Sequence, residues 1–285
     1  MTAATAPTRR RRQRRIRKVW LSLVGLLLAA FFLAPYSVML LDAVRPNDEI
    51  ERTPPHYWPS HWHFSIFSDI LGQQAFRNWL KSSLIISLSA TLIVVVVAIP
   101  AAYYTARRRF PGRAAFLFLV LITQMFAPTS LVVGIYREFF EANLVDTYLA
   151  IIVVDAAFNL AFAIWILHGF FSSIPVEVEE AAQLDGAGRL GTLLRIMLPL
   201  TLPGLVTAVI FTFIAAWNEY VVALILIQTD SRKPLTVGIS NYVTQYTQHW
   251  NELMAASLIA IVPVVILFAV IERYLVGGLT AGSVK

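Results

Sequence analysis

Long runs without a charged residue constrain this chain more than any other feature. Lys18 to Asp42 encloses 23 residues with no Asp, Glu, Lys or Arg. The intervals Lys81–Arg107, Arg113–Arg137, Arg195–Glu219 and Glu252–Glu272 enclose 25, 23, 23 and 19 such residues. Each reaches the roughly 18 residues that cross a bilayer as a helix. A sixth run, Thr147 to Phe171, is broken only by Asp155. Backbone polar groups find no water in lipid, so open strands cannot span and helices must. The expectation is an all-α polytopic membrane protein with six transmembrane helices. A composition of 58% hydrophobic and 14% charged residues agrees, since soluble domains carry about a quarter charged residues. There is no cysteine, so neither disulfides nor thiolate metal sites arise.

Lysine and arginine then set the orientation. With the N-terminus inside, inner segments hold 16 of them and outer segments 7. The positive-inside rule therefore predicts both termini in the cytoplasm. The run RRRRQRRIRK abuts a full-length span, and reads as a topology anchor near anionic lipid rather than a nucleic-acid arm. The expected order is a basic cytoplasmic arm (1–18), a first transmembrane helix (19–41), an extracellular loop (42–79), a permease core (80–272) and a cytoplasmic tail (273–285). His61 and His63 lie in the outer loop without acidic or thiol partners, which disfavours a metal site. The arginines of ARRRFPGR pin an inner hairpin turning at Pro111-Gly112. The third span is expected to end in the short outer connection YREFFEANLVDTY. Pro199 and Pro203 predict that the fifth span starts late or bends.

No motif does chemistry: there is no phosphate loop, no nucleophile elbow and no H-E-x-x-H helix. Uphill transport would draw on an ion gradient or another subunit. The unusual stretch is cytoplasmic, residues 172–199. Pro175 suits a first helical turn, and Glu177, Glu179 and Glu180 follow near the positive end of the dipole. Ala181, Ala182 and Leu184 give a small, smooth surface, and Asp185-Gly186 is a helix stop. A second amphipathic helix follows, with Leu190, Leu193, Leu194 and Met197 spaced for one face. A helix lying on lipid would be basic on its polar face. This one is acidic, and suits a groove on a protein partner.

Glu180-Ala181-Ala182, three residues, Gly186, nine residues, then Ile196-x-Leu198-Pro199 resembles the EAA loop of ATP-binding-cassette importer permeases. ARRRFPGR, AAWNEYVVALIL and VGGLTAGSVK are similar to the maltose-type carbohydrate branch, in its smaller permease. The resemblance implies the type I importer permease fold in the cytoplasmic membrane. It implies that Glu180, Ala181, Ala182, Asp185, Gly186, Ile196, Leu198 and Pro199 form a helix docked on an ATPase. Thr280, Gly282 and Lys285 of the tail would also reach that ATPase, and Tyr242, Tyr246, Trp250 and Asn251 would meet a solute-binding protein. The partners implied are a second permease, two ATPase subunits and the binding protein. The chain itself would be a non-catalytic subunit binding no cofactor, with ATP and Mg on the ATPase.

Asp155, His168 and Glu219 lie within spans, where ionisable groups are functional candidates. No proton relay at neighbouring depths is legible among them. Trp217, Asn218 and Glu219 suit the lining of a translocation path for a sugar. An ion-coupled secondary transporter using Asp155 and Glu219 is the alternative mechanism, and glycerol-3-phosphate or a polyol phosphate the alternative cargo. No Lys or Arg lies within a span, which favours a neutral sugar.

Overall fold

The computed structural model describes residues 7–52, 58–244 and 248–281, with side chains described from residue 17 to residue 272 within those limits. In chain order the helices are α1 (Pro7–Ala43), α2 (Asn47–Ile50), α3 (Ile66–Gly72), α4 (Gln74–Arg107), α5 (Arg113–Thr123), α6 (Pro128–Glu141) and α7 (Tyr148–Ser173). They continue as α8 (Val176–Leu184), α9 (Arg189–Thr192), α10 (Leu198–Leu200), α11 (Leu202–Trp217), α12 (Val221–Leu226), α13 (Leu235–Ser240) and α14 (Trp250–Ala281). Among the described residues, Arg17–Ala43, Gln74–Arg107, Tyr148–Ser173 and Trp250–Glu272 are long and apolar enough to cross a membrane. Two bent pairs bring the number to six if each is one span.

Both bends have local causes. α5 and α6 meet at 95°. Pro128 opens α6, and Ala127 before it is extended, with ψ 133°, as the ring of a following proline demands. The third span is therefore broken rather than continuous. Tyr136–Glu141, expected in the outer connection, belongs to α6. The segment ending in α10 meets α11 at 80°, between Pro199 and Pro203, as those prolines predict. The second helix is where expectation fails. Leu193–Met197 forms a π-helical turn, whose wider winding splits the apolar stripe. Leu193 and Met197 are buried, while Leu190 and Leu194 stay exposed.

The centre is α4 packed along α7, with α11 across both. Ala90, Val94, Ala98 and Ala102 recur every four residues on α4, and all are fully buried. Small side chains at that spacing let two helix backbones approach closely where lipid supplies no hydrophobic drive. Ala156, Ala163, Ile164, Leu167 and Phe171 of α7 share a cluster with Val94, Ala98 and Ala102. Thr147 starts α7 by accepting the Ala150 N–H at 3.3 Å, an N-cap. α1 is different: none of its most apolar window is buried, and Leu26 and Phe31 are 67% and 72% exposed. The second span begins at Gln74, six residues before the expected start at 80.

Candidate functional site

α8 carries the acidic stretch. Pro175 takes the position just before the helix rather than its first turn, and Glu177 and Glu179 fill the first turn. The stop is a Schellman turn: Gly186 N–H donates to Gln183 O and Ala187 N–H to Ala182 O, both at 3.0 Å. Gly186 stands at φ +83°, the left-handed region that glycine enters without penalty. Glu180, Ala181, Asp185 and Gly186 are exposed, and Leu184 is 89% exposed. Ala182 is buried against the chain itself, so it does not belong to the outward surface.

The sequence offers Glu179 as one more dipole-favoured acid, but its partners give it another task. Its Oε1 accepts from the Tyr103 hydroxyl at 2.6 Å, and its Oε2 lies 3.3 Å from Arg107 Nε. That contact is an ion pair rather than an aligned hydrogen bond, since Arg107 Nε has no hydrogen-bond acceptor. Arg107 also donates from a terminal nitrogen to Ile174 O at 2.9 Å, just ahead of α8. The two side chains are only 7% and 11% exposed. α8 is thus tied through its back to the end of α4, while its front stays free. Charge placement alone makes this arginine topological; nothing in the sequence pairs it with an acid 72 positions away.

Between α8 and α11 the chain passes through Ile196 and Leu198, both half-buried, and the exposed Pro199. Fully buried Thr201 closes the corner, its hydroxyl donating to Met197 O at 3.0 Å.

Trp217, Asn218 and Glu219 do not line one cavity. Trp217 and Asn218 face a pocket of about 260 Å³ against Tyr36 of α1 and Ala260 of α14. Trp217 is only 4% exposed; it stacks on Phe213 at 5.6 Å and donates to Ala260 O at 3.2 Å. Glu219 turns to a second pocket of about 240 Å³, which it shares with Asp155, Gln124 and Asn159. The two acids, 64 positions apart, are therefore brought together, which sequence did not disclose. His168 lies 3.1 Å from Thr105 Oγ1 and 3.5 Å from Ser172 Oγ, a tie between α4 and α7.

At the opposite end of the bundle from α8, Tyr242 is buried at 7% exposure and donates to Gln73 Oε1 at 2.7 Å. Burial, with the Glu252 carboxylate second, pushes its hydroxyl up to about 12, so it stays a neutral donor. It therefore packs inside rather than presenting a contact. Trp250 and Asn251 are half-buried, and the Trp250 N–H donates to Asn47 Oδ1 at 2.7 Å. Tyr246, Gly282 and Lys285 lie outside the described residues. Thr280 falls in α14, where only the backbone is described.

A chain from the crystal structure of a bacterial ABC transporter involved in import of the acidic polysaccharide alginate superposes with a TM-score of 0.76 at 22% identity, covering 96% of this chain and 99% of that one. Residues 95–280 match the family described as binding-protein-dependent transport system inner membrane component. The inner membrane ABC transporter permease protein YcjP of Escherichia coli K12 is 33% identical over 89% of this chain and 91% of its own. The diacetylchitobiose uptake system permease protein DasC of Streptomyces coelicolor is 30% identical over 94% and 97%. The trehalose/maltose transport system permease protein MalG of Thermococcus litoralis is 37% identical over 74% and 76%. The chain belongs to this family of inner-membrane transport components: a multi-pass, non-catalytic permease subunit.

Proposed function

We propose that this permease carries a carbohydrate inward across the cytoplasmic membrane, driven by an ATPase that docks on α8. The observation that carries the reading is the division of labour on α8. Glu180, Ala181, Leu184 and Asp185 project outward, while Glu179 is held from behind by Tyr103 and Arg107. A helix so mounted can be pushed as a rigid lever, because its anchor is buried and its tip is not. The permease pairs with a second permease and two ATPase subunits, which hold the ATP and magnesium, and receives cargo from an external solute-binding protein. Both termini and α8 then face the cytoplasm, in accord with the distribution of arginine and lysine. The tail from Thr280 would extend towards the same ATPase. Trp250 and Asn251 are the described residues assigned here to contact with the binding protein. Carbohydrate as cargo is supported by the trehalose/maltose and diacetylchitobiose systems of the relatives.

The absence of native cysteine makes the test direct. A cysteine at Ala181, paired with one in the cleft of the co-expressed ATPase, should form a disulfide whose yield changes with ATP. Ala182 is unsuitable, being buried. Uptake that persists without ATP under an intact ion gradient, with no ATPase co-purifying, would overturn the reading in favour of ion-coupled transport through Asp155 and Glu219.

A further inference from the structure

Asn47 opens α2 at the end of the bundle opposite α8, and its side chain ties together segments far apart in sequence. Its Oδ1 accepts the Trp250 N–H at 2.7 Å, and its Nδ2 donates to Gln248 O at 2.6 Å. Those partners lie 203 and 201 positions away. One amide thus grips the backbone on both sides of His249, where the last loop becomes α14.

The first bond answers a local need. Trp250 is the first residue of α14, and the opening N–H groups of a helix find no acceptor inside it. A Ser, Thr, Asp or Asn just before the helix usually supplies one, but His249 holds that place. The acceptor is borrowed from α2 instead. The second bond answers no such need. Gln248 is an exposed residue, where water can serve a carbonyl, so this bond holds the chain in place rather than rescuing a buried group.

The segment so held belongs to a stapled turn. Val243 and Gln248 form an antiparallel bridge, and the His249 N–H donates to Tyr242 O at 2.9 Å. Tyr242 is buried, whereas Gln248 and His249 are exposed. Gln248 Oε1 is taken by the Trp250 indole N–H at 3.0 Å, which leaves its amide donors to offer a partner. α2 is a firm mount for Asn47. Glu49 is 6% exposed and accepts the Ser60 N–H at 3.1 Å, and Val44 O accepts the His63 N–H at 2.8 Å.

We propose that Asn47 is a positioning residue for docking of the solute-binding protein, holding Gln248 and His249 in the arrangement that the partner meets. The proposal rests on the import reading, and it places the contact on this exposed pair rather than on Tyr242.

The test measures the ATPase rate of the assembled complex against the concentration of its cognate solute-binding protein. Asn47→Asp keeps an acceptor for the Trp250 N–H and loses the donor to Gln248 O, while Asn47→Ala loses both. In each, the half-saturating concentration should rise about three- to tenfold, the worth of one hydrogen bond, with the maximal rate little changed. The melting temperature of the complex should fall in Asn47→Ala and hold in Asn47→Asp, which separates positioning from helix capping. If Asn47→Ala does not assemble, Asn47→Asp carries the test alone. A half-saturating concentration unchanged in Asn47→Asp overturns the proposal and leaves Asn47 a cap. A lower maximal rate with half-saturation unmoved overturns it equally. A wild-type complex that the binding protein does not stimulate strikes the import reading instead, so the two failures stay distinct.

Discussion

At the scale of the residue, Gly186 and Asp146 carry the clearest expectations. A Cβ at Gly186 would meet nothing within 4 Å, but the backbone is at φ +83°. The strain is conformational, about 1–2 kcal/mol for a residue with a Cβ and more for a β-branched one. Gly186→Val should therefore lose uptake through a frayed α8, while Gly186→Asn should keep most of it. Gly186→Asp tests charge at the docking face more than backbone strain, since Asp tolerates the left-handed region; it should abolish uptake with the protein still in the membrane. Asp146 ties the turn before α7 to the segment after α12. It accepts from the Gln228 and Thr229 N–H groups at 3.0 and 2.9 Å, and from Arg232 at 3.0 Å. Burial opposes ionisation, but the Thr229 and Gln228 bonds and the Arg232 charge outweigh it, holding the carboxyl below its usual 3.8. A depressed carboxylate stabilises the fold above the unfolded value, and that contribution fades as pH falls through the native one. The melting temperature of the purified complex should thus fall below about pH 4, and Asp146→Asn should flatten that dependence.

At the scale of the element, α13 packs on α4 through Gly238, which leaves no room for a side chain. A Cβ there would lie 2.1 Å from the Trp79 ring. Trp79 is 4% exposed and fixed by donating to Asp230 O at 3.0 Å. Neither α4 nor α13 can yield cheaply, so Gly238→Ala should destabilise by about 1–3 kcal/mol. A thermal melt of the complex checks this, and Trp79→Leu in the same background should restore part of the loss. The breaks in the third and fifth spans have the same logic on a larger scale. Each has a proline at the break, and Pro128 is among the residues lining the pocket that holds Asp155 and Glu219.

At the scale of the whole molecule, the proposed lever depends on the link from α8 to α4, made by Glu179 with Tyr103 and Arg107. Removing one partner of a buried ion pair costs about 3–5 kcal/mol, and here it would also release the lever. Glu179→Gln and Arg107→Gln should each leave the complex assembled and the ATPase active. Stimulation of that ATPase by the sugar-loaded binding protein should nevertheless drop sharply. Normal stimulation in both variants would mean that motion travels by another route, through Ile196 and Leu198 into the corner at Thr201.

The sequence by itself determined the spans, the acidic loop and the turn at Gly186. Hydrophobic run length, charge placement and a left-handed glycine are local properties that need no knowledge of neighbours. It determined the bend near Pro199 and Pro203 for the same reason, and Pro128 carried an equal signal in the third span. Only the tertiary structure decided which acid is tied back to α4 and which is left exposed, because Glu179 and Glu180 differ by about 100° around one helix. It alone turned Trp217 and Glu219 into different cavities and joined Glu219 to Asp155. Such assignments depend on which helix faces lie against one another, and that follows from packing across the bilayer rather than from any pattern along the chain.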